Sequence, residues 1–259
     1  MDDSKVKILK LKINNGCLKN VIELVQRLID NNEKFYVCVP NAYLTVKANE
    51  DKELLKIINN AKIAIPDGMP LVWYSKTFNK DNKLSERIDG SRFFLEVSKI
   101  ANKNSYSYFF LGGDSNEILE KIKQRVNCEF ENIEVKGYFC PPFMDTFTDE
   151  IDNEIIKIVN NCNPDILWVG LSAPKQEKWI YKNIDKLNIK MACGIGAVFN
   201  FYSGVVKKAP EWMQKAGLEW LYRIYAEPGR LFKKYMIYNT KFTILVLKDL
   251  LKRGFKLKW

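Results

Sequence analysis

The sequence predicts an α/β fold: a parallel sheet flanked by helices, followed by a C-terminal segment that is helical only. Three observations carry this. Short strands and amphipathic helices alternate about six times up to residue 199. The strands are apolar on both faces, as strands buried between two helical layers must be. Beyond Phe201 the strand pattern stops, and Pro210 and Pro228 stand where helices would start.

In chain order, residues 6–13 read as a first strand. "LKNVIELVQRLIDNNEK" is an apolar-periodic helix leading to the strand "FYVCV" at 35–39. "KELLKIINNA" is a second helix, and 61–65 is the strand it feeds. After a polar loop, "GSRFFLEVSKIANKNS" is a helix and "YSYFFLGG" a strand ending in glycines. "DSNEILEKIKQRVNCEF" (helix), "IEVKGYFC" (strand), "TDEIDNEIIKIVNNCNP" (helix) and "DILWVGL" (strand) continue the alternation. "PKQEKWIYKNIDKL" closes it as a helix, before "IKMACGIGAVF", a strand and turn. The expected division is a core over 1–203 and a basic, aromatic helical appendage over 204–259. The longest apolar run in the appendage is "ILVL", far short of the roughly 20 residues a membrane span needs. An interfacial segment mixing Trp, Tyr, Phe and Leu with Lys and Arg fits better.

The chain has 259 residues and no histidine. Histidine triads and His-containing zinc sites are therefore excluded, and acid–base work falls to Asp, Glu, Lys, Tyr or Cys. Six scattered cysteines without a C-x-x-C pair, and a charged N-terminus, "MDDSKVKILKLKI", point to reduced thiols in the cytosol. The net charge of +10 is unevenly placed. Residues 204–259 hold thirteen Lys/Arg against four acids, +9, and the rest only +1. Such asymmetry marks a surface for phosphates, nucleic acid or anionic lipid.

In an open parallel sheet, ligands bind beyond the carboxyl ends of the strands. Six turns follow strands here: "VPNAY", "IPDGMP", "LGGDSNE", "GYFCPPF", "GLSAPKQEKW" and "GIGAVFNFYSG". Ordinary turn chemistry accounts for any one of them. Asp67, between Pro66 and Gly68, is either such a turn residue or a carboxylate at the rim of the sheet. Gly112, Gly113 and Asp114 either bring backbone N–H groups to a phosphate or form a tight turn with Asp114 as helix cap and Glu117 closing a capping box. "GIGAVF" is half of a dinucleotide fingerprint with no suitably spaced helix behind it. Pro174 would start a helix with Gln176 and Glu177 at its exposed N-terminal end. If the tail helix continues past Pro228-Gly229, Arg223, Arg230 and Lys233 lie roughly on one face, able to grip a pyrophosphate.

"IPDGMPLVW", "ERIDGSRFF", "FFLGGD", "GLSAPKQEKWI" and "GIGAVFNFYSGVVKKAPEWMQKAGLEWLYRIYAEPGRLFKKY" occur in one order and together resemble the WecG/TagA/CpsF glycosyltransferases, from about Val37 to Tyr235. The resemblance implies a Rossmann-like core with a C-terminal helical appendage, cytoplasmic and peripheral at the inner face of the membrane. It implies metal-independent, inverting transfer from a UDP-sugar to a polyprenyl-diphosphate-linked sugar, with no cofactor and no nucleic-acid partner. In the teichoic-acid branch the donor is UDP-N-acetylmannosamine and the acceptor undecaprenyl-diphosphate-N-acetylglucosamine. Other branches use UDP-N-acetylmannosaminuronate, UDP-glucose or UDP-glucuronate. Asp67 matches the family's proposed general base, Gln176 its polar donor beside the sugar, and Arg223, Arg230 and Lys233 the appendage cations that meet the diphosphate. Arg87 and Asp89 in "ERIDG" belong to the pocket without an assigned role. Three positions depart from the family's usual residues: Val39 stands for a Thr, with Asn41 the substitute polar group, Asn200 for an Asp, and Lys233 for an Arg. The rival reading is a non-enzymatic adaptor whose basic tail binds membrane or nucleic acid, which leaves the acid and amide turns without a purpose.

Overall fold

The computed structural model describes residues 5–79 and 82–253. The first expected strand is a hairpin, β1 (Lys5–Ile8) and β2 (Leu11–Asn14), reversing at Leu9 with φ 54°. Val6, Ile8, Leu11 and Ile13 are buried while Lys7 and Lys12 face out. The alternation changes phase at the turn, from even to odd positions, and no glycine or proline announces the reversal. α1 (Leu18–Asp30) buries Leu18, Val21, Ile22, Val25, Leu28 and Ile29, the stripe its periodicity predicts.

β3 (Phe35–Cys38) is followed by α2 (Ala42–Glu50), α3 (Lys52–Asn60), β4 (Ile63–Ala64), α4 (Met69–Phe78) and α5 (Gly90–Asn104). β5 (Tyr108–Gly112), α6 (Asn116–Glu129), β6 (Val135–Phe139), α7 (Asp149–Cys162), β7 (Ile166–Gly170), α8 (Lys175–Asn183) and β8 (Met191–Gly194) complete the alternation. α9 (Gly196–Tyr202), α10 (Glu211–Lys215), α11 (Glu219–Ala226) and α12 (Pro228–Lys252) form the all-helical end. Among the described residues no helix is long and apolar enough to cross a membrane.

Six strands make one parallel sheet in the order β4-β3-β8-β7-β5-β6, a Rossmann-like layering. One face packs against the hairpin, α2, α3, α8 and α12; the other against α1, α5, α6 and α9. Trp168, Phe93, Phe94, Tyr108, Phe110 and Phe199 fill the second face with edge-on and tilted ring contacts. The short β4 edge is covered by the hairpin, where Asn14 Oδ1 accepts from the Ala64 N–H at 2.7 Å. Between the adjacent strands β3 and β8 the chain leaves to opposite faces, into α2 and α9. That divergence opens a crevice at their carboxyl ends.

Three helices, α2, α4 and α9, replace segments whose sequence reads as turn or loop. α2 lies between the sheet and α12, so Leu44, Thr45, Val46 and Ala48 are buried and no polar face marks it as helical. α9 begins directly after the "GIG" turn. The tail is also divided differently: α11 ends at Ala226 and a new helix starts at Pro228, so Arg223 and Lys233 do not share one helix. All six cysteines are free thiols; Cys38 and Cys193 are buried and Cys128 is exposed.

Candidate active site

A cleft of about 720 Å³ opens at the carboxyl ends of β3, β4, β7 and β8, and α11 and α12 close over it. Its size suits a nucleotide-sized ligand.

Asp67 lies at the rim of β4. Its N–H donates to Pro40 O at 2.9 Å, and Gly68 turns the chain at φ 112°, a conformation that excludes a side chain without strain. The loop before α5 is tied to the same turn, the Ile88 N–H donating to Pro66 O at 3.0 Å. This brings Arg87 into the cleft, with Nη2 3.8 Å from Asp67 Oδ1. The Asp67 side chain is 28 % exposed and lines the cleft. Burial pushes its pKa up to about 7. The charges of Glu219 and Asp89 push the same way, and Arg87 and Arg223 oppose them. A carboxyl poised near neutrality, with cations beside it, can take a proton from a hydroxyl.

Asp89 caps α5 through the N–H groups of Ser91 and Arg92 and pairs with Lys208 at 2.8 Å. Burial alone would raise its pKa, but Lys208 and Arg87 outweigh it and hold Asp89 below the usual carboxylate range. Asn41 caps α2, its Oδ1 accepting from the Leu44 N–H, and lines the cleft. Gly113 also lines the cleft. Gly112 instead serves strand packing, since a Cβ there would meet Gly170 O at 2.6 Å. Ser115, not Asp114, caps α6; Asp114 is thereby left to accept from Asn200 Nδ2 at 2.9 Å on the cleft wall.

Gln176 and Glu177 are not at an exposed helix start. They are 6 % and 3 % exposed and form the cleft floor. The reason is the position of α8, whose first turn is tucked under the β8–α9 connection. Gln176 Nε2 donates to Glu177 Oε1 at 2.9 Å, and Gln176 Oε1 accepts from the Gly196 N–H at 3.2 Å, so the carboxamide is held at both ends. The glycines of "GIG" make room for it, because a Cβ on Gly194 would sit 2.8 Å from Gln176. Gly194→Ala is therefore expected to displace Gln176 and lower turnover about tenfold while the protein still folds, a result read from steady-state rates beside a thermal melt.

Burial drives Glu177 up to about 7, against the Gln176 hydrogen bond and the charge of Lys234. Its Oε2 is buried with no hydrogen-bond partner among the described residues. The folded-state value lies above the ordinary 4.5, so the stability contributed by the neutral form is complete below about 4.5 and lost as pH rises through 7. Glu177→Gln should therefore be more stable than the parent at pH 8, by about 2–3 kcal/mol, and show no such advantage at pH 4. Denaturant melts at the two pH values measure this.

In the tail, Arg223 reaches the cleft with its guanidinium 5.4 Å from the Phe201 ring centroid, and hydrogen-bonds Tyr235. Arg230 lies in the first turn of α12; its side chain is outside the described residues. Lys233 is exposed and away from the cleft, and Lys234 takes the inward place, 3.9 Å from the Tyr43 ring centroid. Leu231, Lys234, Tyr235, Tyr238 and Phe242 share the inward face of α12, and position 233 falls on the other side. Glu219, Lys234 and Tyr235 are thus cleft residues that sequence reasoning missed. The available signal for Glu219 was its sign: it is one of four acids in a tail of thirteen bases.

A sequence profile described as the glycosyl transferase WecG/TagA/CpsF family matches residues 6–256. The chain is similar to the N-acetylglucosaminyldiphosphoundecaprenol N-acetyl-beta-D-mannosaminyltransferase of Bacillus subtilis (strain 168), at 28 % identity over 237 residues, covering 92 % of this chain and 88 % of the relative. Proteins of the same name from Bacillus spizizenii and Staphylococcus aureus (strain MRSA252) are 29 % and 27 % identical. They cover 88 % and 85 % of this chain, and 84 % of each relative. With the profile matched across nearly its whole length, the chain belongs to the WecG/TagA/CpsF family of glycosyltransferases.

Proposed function

We propose that this protein transfers N-acetylmannosamine from UDP-N-acetylmannosamine to undecaprenyl-diphosphate-linked N-acetylglucosamine, in teichoic acid or related surface-polysaccharide synthesis. The observation that carries the reading is Asp67, partly buried at a strand end and facing a cleft roofed by cationic helices. In this reading Asp67 takes the proton of the acceptor hydroxyl as that oxygen attacks the anomeric carbon from the face opposite UDP, inverting the centre. Arg223 and Lys234 meet the charge that develops on the leaving diphosphate, with Arg230 of the same segment, so the scheme uses no metal and no cofactor beyond the nucleotide sugar. Gln176, Asn41, Gly113, Asp114 and Asp89 line the remainder of the pocket, and Lys233, on the outer face, falls to the membrane side. The names of the curated relatives supply the acceptor and the transferred sugar.

Residues 204–259 then act as an appendage that closes the site and meets the inner face of the membrane. The outward side of α12 supports this: Phe232, Met236 and Leu251 are exposed among Lys233, Lys248 and Lys252. The test is transfer to a short-chain diphosphate-linked N-acetylglucosamine acceptor, followed by UDP release, with several UDP-sugars in parallel. UDP-N-acetylmannosamine should give the highest kcat/KM. A higher value for UDP-glucose, UDP-glucuronate or UDP-N-acetylmannosaminuronate would reassign the donor, and no turnover with any of them would overturn the reading.

A further inference from the structure

One cation in the cleft is shared unequally between two carboxylates. Arg87 donates through Nη2 to Glu219 Oε2 in a very close ion pair, and through Nη1 to the Gln214 carbonyl at 3.2 Å. Both partners belong to the C-terminal helical segment, on or beside α10 and α11. The same Nη2 stands 3.8 Å from Asp67 Oδ1, beyond hydrogen-bond range. All three side chains are largely withdrawn from solvent, with exposures of 13 % for Arg87, 17 % for Glu219 and 28 % for Asp67. In such a site a charge-assisted bond is strong, and the partner that holds the guanidinium decides what the other carboxylate experiences.

We propose that Glu219 is a positioning residue for the base: by holding the Arg87 guanidinium toward the C-terminal helices, it keeps Arg87 from closing on Asp67. The inference rests on the reading of Asp67 as the proton acceptor. A carboxylate gripped by an arginine is a weak base, because its lone pairs are occupied and its charge is neutralised. Glu219 prevents this in two ways: its grip directs Arg87 elsewhere, and its own charge disfavours the ionised form of Asp67. The other groups facing Asp67 are Asp89, which works in the same direction but is paired to Lys208, and Arg223 of α11, which opposes it; Tyr235 of α12 feels the Asp67 charge. Glu219 is the carboxylate in direct contact with Arg87. Because it comes from the tail, the strength of the base depends on the tail being seated.

The experiment is a carbon-13 carboxyl NMR titration of protein labelled at aspartate, with the Asp67 signal assigned by its loss in Asp67→Asn. In Glu219→Gln, which keeps the side-chain shape, the Asp67 pKa should fall by about 1–2 pH units from its value near 7. In Glu219→Asp, which keeps the charge, it should stay within about half a unit of the parent. An unchanged or raised Asp67 value in Glu219→Gln overturns the proposal, as does an equal fall in both variants. The rate profile is the second readout. In Glu219→Gln the acid limb of kcat/KM should move to lower pH with the NMR value, and the plateau should fall ~3–10-fold because the base is weaker. If the NMR value falls and the acid limb does not follow, the positioning of Arg87 by Glu219 stands, and the assignment of Asp67 as base fails.

Discussion

Asp67→Asn lowers kcat by at least ~10²-fold and leaves UDP affinity within about twofold of the parent. The substitution keeps the size of the side chain and its N–H bond to Pro40 O, so the turn at Gly68 survives. What it removes is the only function a carboxylate adds there, the capacity to accept a proton near neutral pH. Without histidine in the chain, no imidazole can stand in. The other carboxyl poised near 7, Glu177, is committed to Gln176 on the cleft floor. In the parent, kcat/KM should rise through a single acid limb near pH 7, as Asp67 must be ionised to act. That limb should be lost from the residual activity of Asp67→Asn. Steady-state kinetics across pH 5–9, with UDP titrated calorimetrically, give both numbers; a variant of unchanged kcat would remove Asp67 from the mechanism.

Arg223→Ala is expected to lower kcat by ~10²–10³-fold, and Arg223→Lys to recover only part of the loss. The Nε of Arg223 is buried and has no hydrogen-bond partner among the described residues. A buried donor of this kind is costly to leave unpaired, and in the proposed mechanism a diphosphate oxygen satisfies it. Phe201 and Tyr235 hold the guanidinium plane. Lysine restores the charge but neither the fork nor the stacking. The diphosphate gains charge as its bond to the sugar breaks, so the loss should appear mainly in kcat, with donor KM changing far less. A smaller kcat loss in Arg223→Lys than in Arg223→Ala would fit this; a loss confined to KM would show that Arg223 binds the ground state only.

The parallel sheet was legible because its strands are apolar on both faces and its major helices carry clean stripes. The helices that escaped, α2, α4 and α9, have no such stripe: α2 is covered by α12, α4 packs on the hairpin strand β1, and α9 lies against β7 with small residues in its first turn. The hairpin escaped because no glycine or proline marks its turn; only the phase change from Val6 and Ile8 to Leu11 and Ile13 betrays it. In the site, the rim position of Asp67 was legible from three local facts, an apolar strand, then Pro, then a Gly that must turn, while its candidacy as base came from the missing histidines and the family resemblance. Gln176 was legible as a residue type, but not its burial, which depends on where α8 meets the β8–α9 connection. Lys233 and Lys234 could not be told apart without the phase of α12, and that phase is set by Leu231 and Phe242 packing against the core. Glu219 was hidden because its role exists only against Arg87, 132 residues away in sequence.

The most direct test of the account is the anomeric configuration of the product. The protein is incubated with UDP-N-acetylmannosamine and a soluble N-acetylglucosamine-diphosphate lipid, and the new linkage is read by proton and carbon NMR. A single displacement with Asp67 as base inverts the α-linked donor and predicts a β-linked disaccharide. An α-linked product would mean a retained centre, which a lone base opposite the leaving group cannot give, and would contradict the mechanism built on Asp67.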